Sequence, residues 1–279
     1  MQDGRAELGQ FFTPRAVIDF ALAALAALGA ELRNARICDP ACGSGEWLRG
    51  ALAAGAREAL GIDCDPAMLH HWRRSGLSRD PRCLLAVGDG LDPGLPLTGR
   101  ADLVLGNPPF GADLLDVRDN ALRALAAHYR LPRLNQPVRL LGCPSSADCE
   151  RLRRFPTELL FLERFVEICR PGGWIAIVLP EGVLANARWR RVRSWLLARL
   201  TVHLVAALPR ATFRAHATTA RTCLALLRHH AAPPGHQTRL CAVDDCAPET
   251  LDALLEMLVE PSSEPVNSPL DLTPPIFLD

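Results

Sequence analysis

Residues 35–45 read Ala-Arg-Ile-Cys-Asp-Pro-Ala-Cys-Gly-Ser-Gly, a short apolar run that ends in an aspartate and a glycine-containing turn. The run Ala35–Asp39 predicts a buried strand, because short apolar runs bounded by turn residues are typical of covered sheets. Gly43 and Gly45 follow it, and such small residues allow a ligand to approach the backbone closely. The spacing differs from the dinucleotide fingerprint, since Leu48 occupies the position of the third glycine.

Helical and strand patterns alternate from this point in both directions along the first 230 residues. Such alternation indicates an α/β fold with parallel strands and helices on both faces of the sheet. The predicted strands are Ala35–Asp39, Ala59–Asp63, Cys83–Val87, Ala101–Leu105, Trp174–Leu179, Val202–Leu208 and Thr219–Leu227. The predicted helices cover residues 17–28, Glu46–Ala54, a segment starting at Pro66, Asn120–Tyr129, Thr157–Cys169 with Thr157 as its N-cap, and Ala187–Leu200.

Charge is distributed unevenly along the 279 residues, although arginines and acidic residues are equal in number at 31 each. Residues 1–230 contain 30 arginines and 22 acidic residues, and this part is predicted to be one domain with an insertion at residues 111–156. Residues 231–279 contain one arginine, nine acidic residues, eight prolines and one weak helical pattern at Leu251–Leu258, which predicts a flexible acidic tail or a partner-docking segment. The stretch Asn186–Arg228 holds nine arginines and no acidic residue, a surplus that attracts polyanions.

Three aspartates follow three successive predicted strands. Asp39 ends the first strand, Asp63 ends the second, and Asp89 follows the third. Parallel α/β sheets bind ligands at the carboxyl ends of their strands. At that edge Asp63 can accept the two hydroxyls of a ribose and Asp89 an adenine amino group. Each aspartate alone is also an ordinary loop residue, but three in register favour a nucleoside site.

Residues 105–110 read Leu-Gly-Asn-Pro-Pro-Phe, immediately after the fourth predicted strand. Together with Gly9–Pro14 (Gly-Gln-Phe-Phe-Thr-Pro), Asp39–Gly45 and Leu179–Leu184, this stretch resembles the gamma-type, S-adenosylmethionine-dependent DNA adenine-N6 methyltransferases. That branch includes the modification subunits of type I restriction systems. The resemblance covers about residues 7–229.

The resemblance implies a Rossmann-like methyltransferase fold whose seven-stranded, mostly parallel sheet has an antiparallel last strand. It implies S-adenosylmethionine as the cofactor. The resemblance and the aspartates at the strand ends together predict the cofactor-binding residues. These are Phe11, Thr13, Pro14, Asp39, Pro40, Ala41, Gly43, Gly45, Asp63 and Asp89. The residues that match the catalytic loop are Asn107, Pro108, Pro109 and Phe110.

The chemistry of the catalytic loop follows from its substrate. An exocyclic adenine nitrogen is a poor nucleophile, because its lone pair is delocalised into the ring. The Asn107 side-chain oxygen and the Pro108 carbonyl can each accept one of its N–H groups, which favours a pyramidal nitrogen. Phe110 offers a stacking face. The base must leave the duplex to reach such a site.

Phe213 matches an aromatic residue that stacks on the flipped base in this family, although a buried core phenylalanine is an equal alternative. Arg188, Arg191 and Arg214 are candidate DNA contacts, and a solvated arginine-rich face is the alternative. Trp47 is interpreted as a core residue that also has a place in the cofactor pocket.

The acidic tail is too short and too polar to recognise base edges in the major groove, so another element has to select the DNA sequence. A separate specificity subunit or residues 111–156 could do so, and a single-stranded DNA substrate would remove the need for recognition in the groove. Two further hypotheses are methylation of an RNA base or of a protein glutamine amide, and a cofactor-binding subunit that is inactive without its partner.

Neither a signal peptide nor a membrane span is recognisable in the sequence, which predicts a cytoplasmic protein. The pairs Cys143/Cys149 and Cys241/Cys246 lack the spacing of a structural zinc site, so no metal is expected.

Overall fold

A computed structural model describes residues 13–111, 119–134, 144–213 and 221–259. The strands are β1 (Arg36–Asp39), β2 (Glu58–Asp63), β3 (Cys83–Val87), β4 (Ala101–Gly106), β5 (Cys169–Pro180), β6 (Thr201–Ala207), β7 (Thr222–Arg228) and β8 (Arg239–Ala242). The α-helices are α1 (Arg15–Ala27), α2 (Glu46–Ala53), α3 (Met68–Arg74), α4 (Asp119–His128), α5 (Ser146–Arg153), α6 (Thr157–Ile168), α7 (Glu181–Ala185), α8 (Arg190–Leu197) and α9 (Pro248–Val259).

All eight strands form one sheet in the order β3-β2-β1-β4-β5-β7-β6-β8. The strands from β3 to β5 in that order are mutually parallel, with Cys38 opposite both Leu60 of β2 and Val104 of β4. The chain therefore crosses to opposite sides of β1, towards β2 and later towards β4. Such a switch point opens a crevice at the carboxyl ends of the strands.

The seven predicted strands are confirmed, and β7 is antiparallel to both of its neighbours, as expected. The strand count of seven is wrong by one, because β8 adds an eighth strand that runs parallel to β6. The prediction of a flexible tail is likewise wrong for residues 231–259. There β8 joins the sheet and α9 packs against α1 through the buried side chains Leu251 and Leu258. Residues 260–279 lie outside the described part.

Helices cover both faces of the sheet, as predicted. One core layer combines α1, α2, α3 and α9 with strand residues such as Leu103 and Ala176. The other combines α4 to α8 with strand residues such as Val104 and Ile175. Neighbours along a strand alternate between the two layers, because successive side chains of a strand point to opposite faces.

The predicted insertion forms two helices, α4 and α5, that belong to the second core layer. The buried carboxylate of Glu163 on α6 accepts backbone N–H bonds from Arg130 and Leu131 at 2.8–3.0 Å. These hydrogen bonds fix the residues that follow α4 to α6. Residues 112–118 and 135–143 lie outside the described part.

Two local predictions need correction. Thr157 is not the N-cap of α6, because Pro156 occupies the cap and Thr157 is the first helical residue, with a buried side chain. The helix predicted over Ala187–Leu200 is instead a 3-10 turn at Ala187–Trp189 followed by α8. The Asn186 side chain caps that turn by accepting the Arg188 N–H. Along the described residues, the helices are all too short or too polar to span a bilayer.

Candidate active site

A cleft opens at the switch point, at the carboxyl ends of β1, β2, β3 and β4. The residues that line it are Thr13, Asp39, Pro40, Ala41, Cys42, Gly43, Ser44, Glu46, Trp47, Asp63, Cys64, Asp89, Gly90, Asn107, Pro109 and Phe161. The cleft therefore brings the three predicted aspartates and the Asn-Pro-Pro-Phe stretch to one place.

Asp39 is the most buried polar group of the cleft, with 1% of the residue exposed. Its Oδ1 accepts the N–H of Ala41 at 3.0 Å, whereas its Oδ2 is buried without a hydrogen-bond partner among the described residues. Burial raises the pKa of this carboxyl to about 8, and the nearby charge of Asp63 acts in the same direction. A buried carboxyl oxygen without a partner in a cleft wall can accept a hydrogen bond from a ligand or bind a cationic ligand group.

Gly106 shows how closely β1 and β4 approach at this point. A Cβ at Gly106 would lie 2.7 Å from Oδ1 of Asp39. Only glycine allows the end of β4 to pass this carboxylate, which explains the residue that precedes Asn107.

The glycine turn after β1 is held from two sides. Asp63 accepts the N–H of Gly43 at 2.8 Å through Oδ2 and the N–H of Asp65 at 2.9 Å through Oδ1. On the other side, the indole of Trp72 donates to the carbonyl of Gly43 at 2.8 Å. Gly43 itself has a φ of 51°, a left-handed conformation that favours glycine. The turn is thus fixed in one shape before any ligand arrives.

Asp63 remains available to a ligand despite these bonds. Burial raises its pKa, while the two backbone N–H groups lower it. Each carboxylate oxygen has two lone pairs, so both can still accept a second hydrogen bond.

The start of α1 closes one wall of the cleft. The indole of Trp47, on the first turn of α2, donates to the Thr13 hydroxyl at 3.2 Å, and both residues are buried. Trp47 is part of the core, as the sequence suggested, and it also lines the cleft. Pro14 forms the N-terminal boundary of α1 and lies outside the lining.

Asp89 lies on a loop that the rest of the protein fixes in place. Its Oδ1 accepts the N–H of Leu91 at 2.9 Å. Behind it, the fully buried guanidinium of Arg164 on α6 donates to the carbonyls of Gly90 and Asp92 at 3.0 and 2.9 Å. The hydroxyl of Tyr129, at the end of α4, donates to the carbonyl of Leu91 at 2.8 Å.

The Asn107–Phe110 loop leaves β4 at the carboxyl edge. Asn107 and Pro109 line the cleft, whereas Pro108 and Phe110 are buried beneath the loop. The Phe110 ring meets the Phe213 ring edge-on, with the centroids 6.4 Å apart. Phe213 is 2% exposed and belongs to the core layer that contains α1. It is therefore a core residue, one of the two interpretations of the sequence, and it also contacts the Asn-Pro-Pro-Phe loop; its stacking on a flipped base stays a prediction.

The candidate DNA contacts Arg188 and Arg191 are exposed. The guanidinium of Arg188 lies 4.6 Å from the centroid of the Trp189 ring, and Arg191 donates to the carbonyl of Leu134 at 3.0 Å. Phe11 and Arg214 lie outside the described residues.

Three side chains of this site could not be recognised from the sequence, namely Trp72, Phe161 and Arg164. All three come from helices that are distant in sequence from the motifs they contact. In the described ranges, groups of three His, Cys, Asp or Glu side chains able to hold a metal ion are absent.

The fold is similar to that of the class I S-adenosylmethionine-dependent methyltransferases. A protein of that class from Listeria monocytogenes matches with a TM-score of 0.66 and 18% identity, over 89% of this chain and 71% of that one. A modification subunit of a type I restriction enzyme from Vibrio vulnificus matches with a TM-score of 0.62 and 18% identity, over 91% and 54% of the two chains.

A type I restriction-modification methyltransferase subunit from Streptococcus thermophilus matches with a TM-score of 0.63 and 18% identity, over 89% and 53% of the two chains. This chain thus spans about half the length of the type I subunits it matches. The pattern of the N-6 DNA Methylase family matches residues 2–54 and 85–245. The chain belongs to the N-6 DNA methylase family, whose members methylate DNA with S-adenosylmethionine. The matched ranges omit residues 55–84, so the position of Asp63 rests on the structure.

Proposed function

We propose that this chain transfers the methyl group of S-adenosylmethionine to the exocyclic N6 of adenine in DNA, with the base flipped into the cleft. The observation that carries the proposal is the single cleft that contains both the nucleoside-type aspartates and Asn107. Family membership supplies the reaction class, and the geometry of the described residues supports the assignment of roles.

The cleft fits the cofactor chemically. Asp63 would accept the ribose hydroxyls, and Asp89 would accept the adenine amino group. Asp39 faces the cleft with one unsatisfied buried oxygen, which suits the cationic methionine end of the cofactor. Thr13 lies against Trp47 on the same wall and would close over that end. When bound, S-adenosylmethionine would supply an electrophilic methyl group: the adenine nitrogen takes it as the carbon–sulfur bond breaks, the neutral thioether leaves, and the methylated nitrogen loses one proton to water.

Asn107 and Pro108 would orient the adenine amino group. The side-chain oxygen of Asn107 and the carbonyl of Pro108 each accept one N–H, which directs the nitrogen lone pair out of the ring plane. The two prolines stiffen the loop and remove the backbone N–H donors of positions 108 and 109. This is catalysis by positioning and electrostatics, without a covalent enzyme intermediate.

Phe110 and Phe213 would support the flipped base from below the loop. Arg188, Arg191 and Arg214 would contact the DNA. We further propose that a separate specificity subunit selects the sequence, because the structural matches include subunits of type I restriction-modification systems.

The test is methyl transfer from labelled S-adenosylmethionine to duplex DNA, single-stranded DNA, RNA and a protein extract. We expect label in DNA and none in RNA or protein. Label in RNA or protein alone would contradict the proposal. Cofactor binding with no acceptor labelled would contradict an activity of the chain on its own and favour the requirement for a subunit.

A further inference from the structure

Three successive backbone carbonyls in the loop after β3 accept hydrogen bonds from buried side chains, and they belong to Gly90, Leu91 and Asp92. The guanidinium of Arg164 on α6 donates to the first and the third at 3.0 and 2.9 Å. The hydroxyl of Tyr129, the residue after α4, donates to the second at 2.8 Å. Arg164 and Tyr129 are both fully buried. Two segments that are distant in sequence from the loop thus hold its backbone.

The first of these bonds acts on Asp89 through a single peptide. A peptide bond is planar and trans, so its carbonyl and its N–H point in opposite directions. The peptide between residues 90 and 91 receives Arg164 on its carbonyl, and its N–H, that of Leu91, donates to Oδ1 of Asp89 at 2.9 Å. Arg164 therefore orients the N–H group that holds the Asp89 side chain.

The second bond acts on the same residue through the next peptide. The peptide between residues 91 and 92 receives the Tyr129 hydroxyl on its carbonyl, and its N–H, that of Asp92, donates to the backbone carbonyl of Asp89 at 3.0 Å. Tyr129 therefore orients the N–H group that holds the Asp89 main chain. Both the backbone and the carboxylate of Asp89 are fixed in this way.

The loop has little freedom to move as a whole. At position 90 a Cβ would overlap the carbonyl oxygen of Pro40, in the turn after β1, so Gly90 lies directly against that turn. On the other side Arg164 is itself held, because its Nη1 donates to Glu167 at 2.9 Å. The same carboxylate bonds to Nε2 of His128, the last residue of α4, at 3.0 Å. The loop is thus held between β1 and the helices α4 and α6.

These contacts also act on the charge of Asp89, which lines the cleft. Withdrawal from water raises the pKa of its carboxyl, whereas the Leu91 N–H and the charge of Arg164 lower it. The groups that orient the carboxylate therefore also favour its ionised form. An ionised carboxylate accepts a stronger hydrogen bond than a neutral acceptor does.

We propose that Tyr129 and Arg164 are positioning residues, which hold Asp89 in the orientation that accepts the amino group of the cofactor's adenine; this inference rests on the proposed function. A carboxylate that is already fixed loses less conformational entropy on binding than one that rotates freely, so its hydrogen bond contributes more to affinity. Tyr129 belongs to the insertion between β4 and β5. The insertion thereby takes part in the discrimination between adenine and a purine without an amino group.

The test measures the Kd of two ligands by calorimetric titration of the full chain. The first ligand is S-adenosylhomocysteine, and the second is its analogue with hydrogen in place of the 6-amino group of the purine. We expect the unchanged protein to bind the first about tenfold more tightly, since the second lacks one hydrogen bond to a charged group. Tyr129→Phe should raise the Kd of the first ligand several-fold and leave that of the second unchanged.

Two further variants separate positioning from a general disturbance of the cleft. Arg164→Lys keeps a positive charge beside Glu167 but lacks the planar guanidinium that binds two carbonyls at once, so we expect the same selective loss. In an Asp89→Ala protein the two ligands should bind alike. Adding Tyr129→Phe to that protein should then change neither Kd, because the group that Tyr129 positions is gone.

Thr238→Val is the matched control, because the Thr238 hydroxyl also donates to a backbone carbonyl, that of Val202 at 2.9 Å, beside β8 at the far edge of the sheet. It should leave both Kd values unchanged. Thermal unfolding reports on the folding of each variant, and if Tyr129→Phe does not fold, Arg164→Lys decides by the same criterion. Equal weakening of both ligands, no change for either, or an effect of Tyr129→Phe that persists without Asp89 would overturn the proposal.

The failure of the proposed function would look different. A protein that shows this selectivity between the two ligands but methylates no DNA would keep the role of Tyr129 and overturn the function. Methylation of adenine in DNA by a protein in which Tyr129→Phe weakens both ligands alike would keep the function and overturn the role of Tyr129. Binding of neither ligand by the unchanged protein would overturn both.

Discussion

Phe110, the last residue of the Asn-Pro-Pro-Phe loop, packs against Phe213 in an edge-to-face arrangement with an interplanar angle of 81°. The two residues are about a hundred positions apart in sequence: Phe110 follows β4 and Phe213 follows β6, and β5 and β7 lie between these two strands in the sheet. The Asn-Pro-Pro-Phe loop therefore packs against the segment that follows β6.

Replacing Phe213 should affect DNA more than the cofactor. Phe213→Leu keeps an apolar side chain in the core and removes the aromatic face, so we expect a raised KM for DNA and an unchanged Kd for S-adenosylmethionine. Phe213→Ala should in addition destabilise the fold by about 3–5 kcal/mol, as large-to-small core substitutions do. Equal effects of Phe213→Leu on the cofactor and on DNA would contradict the assignment of Phe213 to the base.

The indole of Trp72 should contribute to cofactor affinity through the shape of the glycine turn. Trp72→Phe removes the donor to the Gly43 carbonyl, a loss of about 1 kcal/mol. We expect a cofactor Kd raised several-fold in calorimetric titration. Trp195→Phe is the matched control, because the buried Trp195 indole nitrogen has no hydrogen-bond partner among the described residues. An equal change of Kd in both variants would refute the role of Trp72.

Asp39 should release a proton when the cofactor binds. Its pKa of about 8 keeps the carboxyl largely protonated at pH 7 in the free protein. A cationic ligand group next to Oδ2 favours the ionised form. We expect calorimetry at pH 7, in buffers of different ionisation heat, to report close to one proton released. Asp39→Asn should abolish this release, and a titration without buffer dependence in the unchanged protein would count against the contact.

The same residue sets the direction of a stability change with pH. The folded protein holds the Asp39 proton up to about pH 8, whereas an unfolded chain loses it near pH 4. The folded state therefore binds more protons between these values, and the free energy of unfolding should fall as the pH rises through this window. Denaturant unfolding of Asp39→Asn should show a flatter dependence than the unchanged protein, and parallel profiles would contradict this origin.

Helix α9 should be part of the folded unit. Leu251 is 2% exposed against α1, and Leu251→Ala should lower the free energy of unfolding by about 2–5 kcal/mol. Met257 lies on the same helix and is 55% exposed, so Met257→Ala should change it by less than about 0.5 kcal/mol. Similar small effects of both substitutions in urea unfolding would mean that α9 does not pack as described.

Local sequence patterns were sufficient to predict most of the sheet. The strands β1 to β7 are apolar runs bounded by turn residues, so their positions follow from composition over a few residues. The exception is β8, a four-residue edge strand whose side chains are half-buried or exposed in alternation. The prolines and acidic residues around it dominate the composition and hide this strand, whereas the apolar residues of α9 predict a weak helix at Leu251–Leu258.

The same distinction between local patterns and long-range packing applies to the residues of the site. Asp39, Asp63, Asp89 and Asn107 were predictable, because each follows a strand and parallel strands bring their carboxyl ends to one edge. The contacts of Trp72 and Arg164 were not predictable, because they depend on how helices pack across the sheet. An apolar-looking tryptophan and a helical arginine carry no local sign of the carbonyls they bind.

The central claim is that the cleft methylates the N6 of adenine in DNA. The most direct measurement is nucleoside analysis of DNA after reaction with labelled S-adenosylmethionine, with Asn107→Ala as the control that binds the cofactor but lacks the proposed acceptor. We expect all of the label in N6-methyladenine, and none in any nucleoside with the Asn107→Ala protein. Label in a methylated cytosine, or equal N6-methyladenine from the Asn107→Ala protein, would contradict the account.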